Sequence, residues 1–380
     1  MNIRWPSGLL LPQFPRRVPS DVCLDTIEFT PQLIIKAIGS CKKVSKSCDP
    51  DGFNLRTISK LRHSLANPMC ILFNWVFNNG SIPDAWKTAN VTPIFKKGLS
   101  SSICNYRPIS LTSVFSKLFE RIVKDQMLKY LFDHKLITRC QHGFLSKHST
   151  CTQLLETVND WSIALFNRHT VDAVYFDFAK AFDTVSHPKL IYKLSAYGFS
   201  GKLLNCISDF LCGRVQRVVL PNGSSSFQSV FSGVPQGSVL GPLLFLIYVN
   251  DIADLFVNNV AIKLFADDIK IYLEIENESD FDIFQQSINS VSSWAKTWQL
   301  NLAVNKCFHM RVTLSKSIAP HEYFLNDSAL PLNVCCRDLG VTVDSQLSFS
   351  SHINSVVASA QLRSSQILHC FFISRSGYFN

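Results

Sequence analysis

The sequence has no apolar run long enough to cross a membrane: its greasiest stretch, Val239–Val249, is short and is broken by Gly241 and Pro242. Its first residues, MNIRWPSGLLLPQFPRR, contain no apolar core of signal-peptide length. Paired C-x-x-C sets and Cys/His spacings of zinc type are also missing, although there are 13 cysteines, an odd number. Most lie scattered in apolar surroundings, as at Cys70, Cys206 and Cys307, which suits small buried hydrophobes in a reducing compartment, cytoplasm or nucleus. Internal repeats and low-complexity tracts are absent too. Charge is scarce at 17% against 47% hydrophobic residues, which excludes a disordered tail and indicates a globular chain.

What is there fits a sizeable folded protein. A length of 380 residues allows two or three subdomains. The net charge of +9, from 37 basic and 28 acidic residues, suits an anionic polymer as partner, although the excess is spread out in short clusters such as Lys96-Lys97. Residues 1–30 are proline-rich and aperiodic and read as an extended leader or linker remnant. Thr30-Pro31 then predicts a helix start, and a longer helical region follows over 58–77, bent or interrupted at Pro68 and stopped near Gly80. Helices are predicted over 113–132, 150–166, 187–198, 239–255 and 281–294, with strands over 89–95, 216–220 and 227–231.

The most informative stretch is VAIKLFADDIKIYLEI at Val260–Ile275. Apolar residues alternate on both sides of Asp267-Asp268, which predicts a β-hairpin with two carboxylates at its tip. Side-by-side carboxylates on a tight turn repel each other unless a cation is bound, and Mg²⁺ with its preference for oxygen ligands is the obvious one. A second acidic strand end lies upstream in VDAVYFDFAKAFD. There Asp177 interrupts an apolar run of the kind that forms a strand buried on both faces, an expensive place for an unpaired charge. If the fold unites these strands, the acids can hold two metals about 3.5–4 Å apart, as phosphoryl and nucleotidyl transfer require.

These segments resemble the reverse transcriptase of non-long-terminal-repeat, jockey-like retrotransposons. The resemblance is carried by FADD at Phe265–Asp268, FDFAKAFDTVSH at Phe176–His187 and SGVPQGSVLGPLLFLIYVNDI at Ser232–Ile252. Upstream it includes WKTANVTPIFKKG, NYRPISLTSVFSKLFER and QHGFLSKHST, and downstream LNLAVNKC and RDLGVTVDSQLSFSSHI, in unbroken order from about residue 47 to residue 353. It implies an α+β right-hand polymerase with fingers, palm and a partial thumb, the palm having a central antiparallel sheet packed on helices. It divides the chain into an N-terminal extension and fingers over 31–170, a palm over 171–330 and a thumb entrance over 331–380. The reverse transcriptase domain itself would cover about residues 78–345. No endonuclease pattern precedes residue 31, and the thumb segment is short, so the expectation is a truncated copy.

The resemblance also implies roles. Asp177, Asp267 and Asp268 would be catalytic metal ligands for Mg²⁺, with Mn²⁺ as a substitute, and the backbone carbonyl of Phe178 would join a metal shell. Phe182 would sit beneath the sugar and exclude a 2′-hydroxyl. Gln236 and Gly237 would contact the nucleotide or template in a stiff loop, and the helix after them would offer N–H groups to an anion. Lys96 and Arg107 are finger candidates for the triphosphate. Lys306 would lie near the leaving pyrophosphate as proton donor or phosphate contact. Asp183 reads as structural, holding a turn or pairing with Lys180. The expected partners are an RNA template, a DNA primer and deoxynucleoside triphosphates. An RNA-directed RNA polymerase shares the chemistry but is disfavoured by Phe182 and the FADD context. An inactive copy that only binds nucleic acid is the non-enzyme alternative.

Overall fold

The computed structural model describes residues 11–41, 48–256, 259–315 and 321–376. They form a mixed α and β protein of two compact units, each gathered from separated stretches of chain. One unit draws on the chain up to Phe144, on Phe178–Asp254 and on Ser293–Leu302; the other draws on Leu145–Asp177, Leu255–Ser292 and the chain from Ala303. Among the described residues no helix is long and apolar enough to cross a membrane.

The first unit is built on helices and one sheet. Its core is aromatic: Phe29 stacks on Phe119 at 5.1 Å, and Phe73 meets Phe29, Trp86 and Phe119 edge-on. Such pairs add about 0.5–1.5 kcal/mol each beyond their burial. The stretch preceding Thr30 is extended and docked, its Arg17 amide donating to the Ala196 carbonyl and Leu24 bridging to Phe199. Its first ten residues lie outside those described. Thr30 caps the helix Pro31–Gly39 by accepting from the Leu33 amide. The next helical region departs from expectation. The break falls at Leu61, between Leu55–Lys60 and Arg62–Asn79, and Pro68 sits within the second helix. A proline there leaves one carbonyl without its partner, which one turn of an 18-residue helix tolerates when its other face (Met69, Phe73, Val76, Phe77) is buried. In the sheet, Thr88–Phe95 pairs antiparallel with Tyr106–Leu111 and parallel with Arg214–Leu220, which in turn carries Gly223–Ser224 and Gln228–Val230 as antiparallel neighbours.

The second unit holds a four-stranded antiparallel sheet in the order Ala261–Phe265, Asp268–Ile275, Thr170–Phe176, Phe308–Val312. On one face Tyr175 faces Lys270 and Phe308 across the strands, Ala173 faces Tyr272 and Met310, and Val171 faces Glu274 and Val312. The helix Thr150–Phe166 covers that face through Trp161 and Ala164. The hairpin Cys335–Asp338 with Val341–Asp344 adds Cys336 and Val343 to the same core. On the alternate positions Val174, Phe176, Ile269 and Ile271 are buried as well, so the central strands are covered on both sides. That is why they read as near-continuous apolar runs. One charge within them is fully paired: Asp172 accepts from Arg311 at 2.7 and 2.6 Å and from the Tyr323 hydroxyl at 2.6 Å.

Candidate active site

The second unit carries the acids. Phe265 pairs with Asp268, leaving Ala266 and Asp267 as the two-residue turn of the hairpin, with Ala266 in the left-handed region at φ 58°. That conformation is the one a tight hairpin turn demands, and a residue with a Cβ adopts it at some cost. On the neighbouring strand Phe176 is in register with Ile269, so the next step along each strand brings Asp177 opposite Asp268. Both line one cavity of about 200 Å³, together with Tyr175, Lys270, Lys306 and Arg337. Asp177 is half exposed, Asp267 half buried at the apex and Asp268 exposed. The Lys306 ammonium lies 3.1 Å from Asp177 Oδ2, and the Asp177 carbonyl accepts from the Ala303 amide, which ties the lysine's turn to the acidic strand.

This donor set fits a hard divalent cation. Three carboxylates project from adjoining strand ends, and an ammonium already occupies the place of a counter-ion on Asp177. Among the described residues, the three possible ligands whose donor atoms gather within 4.8 Å are instead His169, Glu274 and Glu276, at the opposite end of the same strands. The aspartates are therefore not a closed protein cage. Mg²⁺ accepts such an arrangement, since it keeps several waters and takes one or two carboxylates together with substrate oxygens.

One step beneath the acids lies a row that pattern reading missed. Lys270, two residues after Asp268, is 2% exposed and ion-paired to Asp338, which also accepts from the Tyr175 hydroxyl at 3.1 Å. Burial pushes the Lys270 pKa down even though Asp338 opposes the shift. The available signal was spacing: residues 268 and 270 share a face. Alternation alone does not say that a helix and a hairpin cover that face.

The remaining candidates lie in the first unit. Phe182 is half buried, stacked on Phe245 at 4.4 Å and edge-on to Phe144 at 6.1 Å. Gln236 Nε2 donates to Asp183 Oδ1 at 3.1 Å, so the Asp183 carboxylate pairs with the loop, while its backbone amide donates to Lys180 O at 2.9 Å and holds the turn. Burial raises the Asp183 pKa, with the Gln236 bond and the Lys180 charge acting against it. The loop is zipped to the turn after Asp177's strand: the Val234 amide donates to Phe182 O and the Gly233 amide to Val185 O. On its other side Gln236 O accepts from the Ser110 amide, and at Gly237 (φ 115°) a Cβ would stand 2.4 Å from Ser110 O, so only glycine fits. Lys96 and Arg107 are exposed at the end of one strand pair, where Ile94 faces Arg107 and the Lys96 amide donates to Asn105 O. Phe178 bridges to Leu302 with its ring buried near Trp294.

One expectation is corrected. The N-terminus of the helix Gly241–Val249 is not open to an anion, because buried Glu120 accepts from the Val239 and Leu240 amides at 2.7 and 3.0 Å and Ser238 takes that of Gly241. The protein supplies its own carboxylate where an outside anion was expected. Burial raises the Glu120 pKa against those hydrogen bonds.

Comparison with known proteins adds an independent line. Residues 94–343 match the family described as reverse transcriptase (RNA-dependent DNA polymerase). The chain is 29% identical over 339 residues to the RNA-directed DNA polymerase from mobile element jockey of Drosophila melanogaster, covering 87% of this chain and 36% of that protein. It is 30% identical over 337 residues to the jockey polymerase of Drosophila funebris, covering 87% and 37% respectively. A probable RNA-directed DNA polymerase from transposon BS of Drosophila melanogaster is 29% identical over 347 residues, covering 88% and 38%. The chain thus spans somewhat over a third of the length of these relatives.

Proposed function

The chain belongs to the reverse transcriptase family, and on that premise we propose that it is an RNA-directed DNA polymerase of a retrotransposon, extending a DNA primer on an RNA template with deoxynucleoside triphosphates. The observation that carries the proposal is the meeting of Asp177 and Asp268 at adjoining strand ends on one cavity, with Lys306 against Asp177. Asp177, Asp267 and Asp268, with the Phe178 carbonyl, would hold two divalent cations, Mg²⁺ or Mn²⁺. Cations held there would supply a lower pKa for the primer 3′-hydroxyl and compensation for charge on the leaving pyrophosphate.

The other residues have work of their own. Lys306, free to exchange Asp177 for a phosphate oxygen, neutralises or protonates the departing group. Lys96 and Arg107 meet the triphosphate, Arg107 through its planar fork. Gln236 and Gly237 shape the loop on which the nucleotide or template base rests, and Phe182 leaves no room for a 2′-hydroxyl. In this reading 31–170 are extension and fingers, 171–330 the palm and 331–380 the thumb entrance. The free cysteines suit the nucleus or cytoplasm.

The test is primer extension on an RNA template with Asp177→Asn and Asp267→Asn. Each removes a metal ligand at nearly constant volume, so extension should be abolished while thermal stability and nucleic-acid binding stay close to the parent's. Variants that extend at the parent's rate would refute the two-metal assignment. A parent that binds primer–template but never extends it with either metal would refute the polymerase reading.

A further inference from the structure

The helix Thr150–Phe166 starts with a reciprocal cap, Ser149 accepting from the Thr152 amide and Thr152 Oγ1 accepting from that of Ser149. The cap fixes the first turn, and the next residue, Gln153, turns inward. It is only 2% exposed, yet its Oε1 has no hydrogen-bond partner. It lines the cavity that holds Asp177 and Asp268. A buried amide oxygen without a partner is costly, and native proteins keep one where something else completes it.

The cavity does not provide that partner itself. Lys306 is paired with Asp177, Lys270 and the Tyr175 hydroxyl with Asp338, and the exposed Arg337 makes no hydrogen bond to that oxygen. The missing donor therefore comes from outside. It is not a phosphate, whose oxygens are acceptors and cannot donate to an amide oxygen. A side-chain amide offers an acceptor and a donor in one plane, and a sugar hydroxyl can answer both.

We infer that Gln153 is a further binding residue of this site, and that its amide hydrogen-bonds the terminal 3′-hydroxyl of the strand presented to Asp177 and Asp268. The inference rests on the polymerase reading for the identity of that strand. It makes Gln153 a group held ready at the expense of stability, and that gives it a signature no packing residue shares. Replacing the amide with an apolar chain of similar length should leave the free protein as stable or more stable while weakening its hold on the hydroxyl.

The experiment compares the parent with Gln153→Met and Gln153→Leu, the second variant guarding against a misfit of the first. Fluorescence anisotropy measures binding to an RNA template annealed to a DNA primer ending in either a 3′-hydroxyl or a 3′-deoxy sugar, and melting temperatures are recorded alongside. The parent should bind the 3′-hydroxyl primer about 3- to 10-fold more tightly than the 3′-deoxy primer, and the variants should bind the two alike. Their melting temperatures should equal or exceed the parent's. The inference is overturned if the parent shows no preference or the variants keep it. It is also overturned if both primers weaken equally, or if the variants melt early with affinity unchanged; unchanged preference with a raised melting temperature would mean that Gln153 holds only a water. Because binding is read without turnover, a parent that fails to extend the 3′-hydroxyl primer counts against the polymerase reading and leaves this comparison intact.

Discussion

Phe182 has one face on Phe245 and is only half buried, so packing and selection can be separated at this residue. Phe182→Ala or Phe182→Val should lower discrimination against ribonucleotides by about 1–3 kcal/mol, the scale of lost shape complementarity. The same change should cost stability nearer the roughly 0.5–1.5 kcal/mol of an aromatic pair than the 3–5 of a buried ring. Competition between ribo- and deoxynucleotides, read with the melting temperature, checks both. A variant that melts early but still prefers deoxynucleotides would make Phe182 a packing residue. His187 offers a second test. Its Nε2 donates to the Gly233 carbonyl at 2.7 Å, and burial holds its pKa below the ordinary 6.5 despite that bond, with Arg214 adding to the depression. The unfolded chain takes up a proton near 6.5 and the folded one resists it, so the stability from neutral His187 is present above that pH and lost as pH falls through and below it. The parent's melting temperature should therefore drop more steeply between about pH 7 and pH 5 than that of His187→Gln, and parallel curves would refute this.

The acidic positions were legible because strand alternation brackets Asp267 and Asp268 so cleanly. Lys270 was not, since alternation says which residues share a face but not whether something covers it. At the level of elements, that cover is the hairpin Cys335–Asp338 with Val341–Asp344, and its tie to the sheet is Lys270 with Asp338. Asp338→Leu or Lys270→Met alone should cost about 3–5 kcal/mol, because each leaves the other charge buried and uncompensated. Lys270→Met with Asp338→Leu should recover most of the loss, since a matched apolar pair removes both desolvation penalties. Chemical denaturation of the two singles and the double closes the cycle, and an additive double would show that the two residues do not act as a pair. The interruption offered at Pro68 and the open helix start at Gly241 are both absent, for related reasons. Pro68 and the helix start at Gly241 were judged by local rules, whereas buried neighbours decided both, a packed helix face in one case and the distant Glu120 carboxylate in the other.

For the whole molecule, the net charge of +9 sets how binding should respond to salt. Affinity for a primer–template duplex should fall linearly on a log–log plot against salt, with a slope of about −0.9 for each phosphate neutralised. A titration over salt concentration checks this, and a flat line would remove the backbone contacts from the reading. The order of motifs along the chain was legible from sequence. The partition into two units was not, because motif order carries no record of which segments pack together. The chain passes from one unit to the other after Phe144, Asp177, Asp254, Ser292 and Leu302.

That threading bears on how such a gene can decay. A premature stop anywhere before Ala303 leaves both units incomplete, and neither unit is itself a contiguous stretch of the chain. Erosion therefore has no modular intermediate at which one half persists as an independent domain. A copy broken anywhere in its first three hundred residues should be lost to misfolding and proteolysis rather than kept as a smaller working part.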